Sequence, residues 1–214
     1  MATFSTRFLG CKVSFADVQA IRERLLADGH EEVLEGGEIQ VVNTCCVTHE
    51  AVSKSRQAAS RASRSARTVY VTGCASNLEG AFRDAASNVV VTARTGDEAA
   101  SFVAGDVGAI GCVNGEHRLE RVRAFVKIQD GCSFSCAFCV IPLVRGATRS
   151  RTAEAVLAEI RRRVAHGHRE IVLTGVNLGC FRDRAAGFTL SRLVREAGAI
   201  PGVERLRLSS IEVN

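Results

Sequence analysis

The sequence has little of what marks several classes of chain. Only two prolines and one tyrosine occur in 214 residues, while 46% of the residues are hydrophobic, which excludes the polar, proline-rich composition of a disordered protein. No apolar run approaches the roughly 18 residues of a membrane-spanning helix, so no membrane association is expected. The N-terminus carries Arg7 and Lys12 but no apolar segment between a basic start and a small-residue cleavage site, and does not read as a signal peptide. Acidic residues are in a small minority, 23 against 28 basic ones, almost all of the latter arginine. The resulting net charge of +5 permits a phosphate-bearing partner without demanding one.

Cysteine, by contrast, is abundant at nine residues. Without an export signal, that number points to the reducing cytoplasm, where thiols stay free for metals, and away from a disulfide framework.

The length suits one large domain or two small ones, and the pattern favours two. A β/α alternation runs through the first hundred residues. Val18, Ile21 and Leu25 fall at helical spacing within a helix over Asp17 to Ala27, ending at Gly29. Strands are predicted at Ile39–Val42, Thr68–Thr72 and Asn88–Thr92, with helices at Thr48–Ala66, Leu78–Ala86 and Gly96–Ala104. Four glycines between Gly105 and Gly115 mark a boundary. Beyond it come a strand at Ala124–Gln129, a helix capped by Thr152 with Val156, Ile160 and Val164 on one face, a strand at Glu170–Thr174, a helix at Leu190–Ala197 and a strand at Val203–Leu208. The fold class is α/β, with an N-terminal parallel-sheet domain over 1–112, a linker over 113–123 and a second domain over 124–214. Three strands of the βα type seldom complete a sheet or a barrel, so the second domain is expected to be truncated.

Two cysteine trios carry the chemistry. Cys132, Cys136 and Cys139 lie within eight residues, a density at which thiolates repel unless a cation or an iron-sulfur cluster neutralises them. Three thiol ligands leave a coordination position open, whereas a closed structural zinc site takes four. A zinc site completed by Cys112 or Cys180, or a thiol redox pair at Cys136 and Cys139, remains the alternative. In the first domain, Cys11, Cys45 and Cys74 each fall where a strand hands over to a helix. In a parallel sheet such positions share the carboxyl edge, so these three can meet at one site; ordinary burial of the thiols is the competing reading.

Other groupings are less specific. Gly175 and Gly179 flank Asn177 after the Glu170 strand and would let a backbone approach a ligand, or form a plain turn. Ser209, Ser210 and Glu212 end the last strand at the same edge, where a ribose hydroxyl or an ammonium could find acceptors. Lys54, Arg61 and Arg64 share one face of their helix, and Arg145, Arg149 and Arg151 follow the cysteine loop; both groups are candidate phosphate contacts or solvated faces.

Gly131-Cys132 with Cys136 and Phe138-Cys139 resembles the radical S-adenosylmethionine signature, in which an aromatic residue precedes the last cysteine. Lys127 to Gly131, Ile141-Pro142, Arg145-Gly146 and Arg149-Ser150-Arg151 resemble the methylthiotransferase family. So do Leu9 to Val13, Asn43-Thr44-Cys45, Lys54 to Gln57 and Thr72-Gly73-Cys74, all in the family's order. Glu170 to Gly179 and Leu208 to Glu212 resemble most the branch that acts on N6-threonylcarbamoyladenosine in tRNA. The branches acting on isopentenyladenosine and on ribosomal protein S12 are the alternatives, and a zinc-binding RNA-interaction module is a further one. Ser14, Asp17, Cys46 and Val213 depart from the family's usual Asn, Glu, Thr and Pro.

The resemblance implies a sulfur-group transferase with two [4Fe-4S] clusters, one on Cys132, Cys136 and Cys139 and an auxiliary one on Cys11, Cys45 and Cys74. S-Adenosylmethionine would bind the first cluster's open iron, beside Gly175, Asn177, Ser209 and Glu212. One electron would cleave it to a radical that abstracts hydrogen at C2 of adenine, a step left to the cofactor. The tRNA anticodon stem-loop, an electron donor and a sulfur donor are the implied partners. On the family's plan the second domain is the first part of a partial (β/α) barrel, and the rest of that barrel and a C-terminal TRAM domain are expected to be absent.

Overall fold

The computed structural model describes residues 1–110 and 122–212. The expected linker over 113–123 therefore falls almost wholly outside the described residues, as do Cys112 and Val213. The chain divides into two compact units, one of Met1–Gly115 with Leu143–Arg145 and the other of Glu116–Pro142 with Gly146–Asn214.

The first unit is a five-stranded parallel sheet. Its elements are β1 (Thr3–Phe8), α1 (Lys12–Ala27), β2 (Glu31–Glu32), β3 (Ile39–Thr44), α2 (His49–Ser63), β4 (Thr68–Gly73), β5 (Val89–Val91) and α3 (Gly96–Val107). The strand order is β2-β1-β3-β4-β5, so the winding reverses between β1 and β3. Phe4, Ile21, Leu25, Val41, Ala99 and Val103 form the core on one face, beneath α1 and α3. On the other face Ala58, Ala59 and Ala62 of α2 pack against Val42, Val69 and Val71. Small side chains on that helix let it lie close to the strands while Lys54, Arg61 and Arg64 stay exposed. Thr48 caps α2, its hydroxyl accepting from the Ala51 amide at 3.1 Å.

In the second unit the order is β6 (Arg123–Lys127), β7 (Gln129–Asp130), α4 (Ile141–Arg145), β8 (Arg149–Ser150), α5 (Ala153–Ala165), β9 (Glu170–Thr174), β10 (Arg182–Asp183), β11 (Phe188–Thr189), α6 (Leu190–Gly198) and β12 (Arg205–Leu208). The last three residues of α4 belong to the first unit. β6, β9 and β12 are parallel and add sequentially in the order β12-β9-β6. This is the winding of a (β/α) barrel, unlike the reversal in the first unit. Ala124, Val126, Ile171 and Leu173 pack on Val156, Ile160, Leu193 and Ala197 of α5 and α6.

Two expectations need correction. Residues 78–86 form no α-helix: a single 3₁₀ turn at Ala75–Asn77 is followed by three-residue turns, with Ala81 bonded back to Leu78 and Arg83 to Gly80. Gly80, at φ +69°, interrupts any helical run there. α1 also begins five residues before the expected Asp17, directly after Cys11, whose side chain makes no capping bond to announce the start.

One ion cluster makes stability depend on pH. Burial would raise the Glu159 carboxyl, but Arg151 and Arg163, at 2.6 and 3.0 Å, outweigh it and hold the group below its ordinary 4.5. Because the folded value is the lower one, the stabilisation is complete above pH 4.5 and is lost as pH falls through the folded value. The melting temperature should therefore fall more steeply below pH 4.5 in the parent than in Glu159→Gln, as calorimetry at stepped pH would show.

Candidate metal centres

β1, β3 and β4 lie side by side, with Phe8, Asn43 and Thr72 in one register row, so the residues after them leave the sheet together at its carboxyl edge. Cys11, Cys45 and Cys74 stand on those three exits. β1 and β3 also flank the point where the winding reverses, which is where sheets of this order bind ligands. Side chains tie the exits to one another. Asn43 Nδ2 donates to Thr72 Oγ1 at 3.1 Å, and Thr44 Oγ1 donates to the Thr72 carbonyl while accepting from the Ala75 amide. Ser55, on α2, accepts from the Cys45 amide at 3.3 Å and so fixes that thiol's backbone. A side chain at Gly10 would meet Ser14 Oγ at 2.8 Å and Cys45 Cβ at 3.4 Å, which shows how closely the chain at Cys11 runs against Cys45.

All three thiols are free, Cys45 and Cys74 buried and Cys11 exposed. Arg145 reaches Cys74, its Nε donating to Sγ at 3.0 Å, while one of its terminal nitrogens, Nη2, donates to Asp17 at 3.0 Å. Both charged side chains are sealed from solvent, at 1% and 0% exposure. The bond from the Cys46 thiol, opposed by burial and aided by Arg145, brings Cys74 down to about 6. The same bond pushes the Cys46 thiol upward. Burial raises Cys45, and the neighbouring Cys74 and Cys11 add to that.

The second trio occupies an excursion from β6 whose base is tied by main-chain contacts. β7 and β8 pair antiparallel, the Cys132 amide donates to the Gly146 carbonyl at 3.0 Å, and Ser133 and Thr148 exchange reciprocal amide-to-hydroxyl bonds. Gly131 has φ +67°, and a Cβ there would sit 2.1 Å from the Ala147 carbonyl oxygen. The thiols of Cys132, Cys136 and Cys139 are free and at least partly exposed, and the Phe138 ring beside them is 97% exposed.

Gly175, Asn177, Ser209 and Glu212 come together at the carboxyl edge of β9 and β12. The Leu178 amide donates to the Ser210 carbonyl, Ser209 Oγ lies 3.2 Å from Thr174 Oγ1, and a Cβ on Gly179 would touch the Glu212 carbonyl oxygen. Gln129, buried, joins this edge to the cysteine loop: its Nε2 donates to the Asp130 and Gly131 carbonyls and its Oε1 accepts from the Asn177 amide at 2.8 Å. Sequence reasoning quoted Gln129 only within a longer string and missed this bridge. Gln129→Leu keeps the volume but leaves those partners unsatisfied, and should cost about 2–3 kcal/mol in urea denaturation.

Arg145 and Arg151, expected as phosphate contacts, are committed to protein acceptors instead: Arg151 bonds the Lys127 carbonyl and Glu159. A cavity of about 460 Å³ lined by Tyr70, Asp106 and Asn88 contains none of the six thiols. Among the described residues no three Cys, His, Asp or Glu side chains converge as a single metal ion requires.

Comparison with known proteins follows the division into units. Residues 3–93 match the model of an uncharacterized protein family, UPF0004, and residues 126–212 match the radical SAM superfamily. The chain is 35% identical to the threonylcarbamoyladenosine tRNA methylthiotransferase MtaB of Chlamydia pneumoniae, over 98% of this chain and 51% of that protein. It is 32% identical to MtaB of Bacillus subtilis, over 100% and 52%. The chain belongs to the radical S-adenosylmethionine methylthiotransferase family.

Other members of this methylthiotransferase family carry a different name, such as the tRNA-2-methylthio-N(6)-dimethylallyladenosine synthase of Maricaulis maris, 29% identical over 94% of this chain and 52% of that one. The chain spans about half the length of the curated relatives it matches. Among solved structures, the radical S-adenosylmethionine methyltransferase TsrM of Kitasatospora setae shares the fold, with a TM-score of 0.57 at 12% identity over 91% of this chain and 52% of that one. S-Adenosylmethionine gives the matched superfamily its name, and the TsrM structure holds a [4Fe-4S] cluster. The residues fit such groups: each trio is an all-thiol donor set, and Asn177 Nδ2 is buried beside Gly175 without a partner. Among the described residues, no helix is long and apolar enough to cross a membrane.

Proposed function

We propose that the chain carries both cluster sites of a tRNA methylthiotransferase that converts N6-threonylcarbamoyladenosine, beside the anticodon, to its 2-methylthio derivative. The observation that carries this reading is one chain with two open thiol trios, each at the carboxyl edge of its own parallel sheet. The names of the relatives, MtaB in two of the three cited, support the choice of nucleoside.

Cys132, Cys136 and Cys139 hold one [4Fe-4S] cluster, and Cys11, Cys45 and Cys74 hold the auxiliary one. When bound, the clusters supply the electron that cleaves S-adenosylmethionine and the sulfur that is transferred. The chain's own residues bind and orient. Gly175 lets Gln129 and Leu178 pack tightly against the β9 edge, the orphan Asn177 amide offers a buried donor, and Ser209 and Glu212 offer acceptors to ribose and ammonium groups. The exposed Phe138 ring gives a flat face for a heterocycle. Lys54, Arg61 and Arg64 present cations to the phosphates of the anticodon stem-loop. An electron donor and a sulfur donor complete the cycle, in the reducing cytoplasm where tRNA resides.

Mass spectrometry of tRNA nucleosides from cells that lack the modification and express the whole protein tests this. Appearance of 2-methylthio-N6-threonylcarbamoyladenosine is expected. Methylthiolation of isopentenyladenosine, or of ribosomal protein S12 with tRNA unchanged, would overturn the choice of substrate.

A further inference from the structure

Arg145 follows the second trio in the chain, yet its side chain is buried against the first. Its Nε lies 3.0 Å from Cys74 Sγ and its Nη2 3.0 Å from Asp17 Oδ2. Asp17 is drawn from α1 and Cys74 from the end of β4, so the guanidinium is gripped from two separate elements of the first unit. A planar fork held this way has one orientation, and that orientation aims an N–H at a sulfur. Burying a charged pair is costly, and apolar side chains of similar volume usually serve a core at least as well, so stability alone gives weak grounds for the arrangement.

We propose that Arg145, locked by Asp17, is a positioning residue that orients Cys74 and sets the reduction potential of the cluster held by Cys11, Cys45 and Cys74. The proposal rests on the assignment of that trio as a cluster site. An N–H bond from a cation to a ligating sulfur stabilises the reduced, more negative form of a cluster and so raises its potential. Asp17 acts in the opposite sense, because its carboxylate partly cancels the guanidinium charge.

These opposed signs provide the test. In protein carrying Cys132→Ala, Cys136→Ala and Cys139→Ala, only the first trio remains to take up iron, and its potential can be followed by a redox titration read by electron paramagnetic resonance. Arg145→Gln should shift the potential negative and Asp17→Asn should shift it positive, with Arg145→Lys between Arg145→Gln and the parent. General structural damage would move the first two in the same direction, and that result overturns the proposal, as do unchanged potentials in variants that load iron normally. Should Arg145→Gln fail to fold, Asp17→Asn, which keeps shape and volume, decides by its sign alone. A background protein that takes up no iron and sulfide at all overturns the cluster assignment first, and this proposal with it.

Discussion

Cys132→Ala is expected to abolish reductive cleavage of S-adenosylmethionine while leaving the cluster on Cys11, Cys45 and Cys74 in place. The fold should survive the change, because what fixes Cys132 is its amide bond to the Gly146 carbonyl, and alanine retains that amide. The loss therefore falls on ligation. Two thiolates cannot hold a cluster that needs three and an open position, so the reconstituted variant should carry half the parent's iron and acid-labile sulfide. Circular dichroism should match the parent, and no 5'-deoxyadenosine should form. Cys11→Ala is the reciprocal case: it should keep cleavage and lose methylthio transfer to tRNA. Cleavage that persists in Cys132→Ala would refute the assignment of the loop.

The second large effect is expected at the glycines that precede Cys132 and Cys74. Gly131 and Gly73 have φ of +67° and +91°, a region that side chains enter only under strain. Space is lacking as well. A Cβ on Gly131 would lie 2.1 Å from the Ala147 carbonyl oxygen and 2.6 Å from that of Gly146; on Gly73 it would lie 2.6 Å from the Thr44 carbonyl oxygen and 2.8 Å from the Thr44 nitrogen. The obstructing atoms are main chain, pinned by the β7–β8 pair in one case and by the β3–β4 ladder in the other, so neither can yield cheaply. Either alanine variant should lose about 3 kcal/mol or more in denaturant unfolding. Each should also lose iron from the trio it adjoins before the other. Equal loss from both trios would show that global unfolding, and not displacement of one thiol, is responsible.

Elements with strong local signals were legible in the sequence. α5 begins at its Thr152 cap and buries Val156 and Ile160 as the spacing required, and β9 has the predicted limits, Glu170–Thr174. That Cys11, Cys45 and Cys74 share an edge was also readable, since it follows from parallel strands alone. β1 was implied by the placing of Cys11 at a strand exit but received no bounds: Thr3, Ser5, Thr6 and Arg7 dilute its apolar pattern, and its place in the sheet comes from pairing with β3 over five residues. The helix expected at 78–86 failed at Gly80, which takes a φ of +69°, outside the helical region. Asp17 and Arg145 are 128 residues apart, so no window of sequence could have joined them, and Arg145 was read as a surface cation. Gln129 has the same character, since its value lies in reaching Asn177, 48 residues away.

The assignment of Leu143–Arg145 to the first compact unit has a consequence for biosynthesis. A ribosome releases the five strands of that unit well before it reaches codon 145, and the nascent sheet can pair and collect its helices in that interval. The last charged piece of its interior arrives only after the entire Cys132–Cys139 segment has been translated. The buried Asp17–Arg145 pair of the first unit is therefore completed only after the second trio has been synthesised. A nascent chain halted after Thr148, with Arg145 still inside the ribosome, should be more open to protease in its first unit than one halted after Leu208, in which Arg145 is free to pack against Asp17.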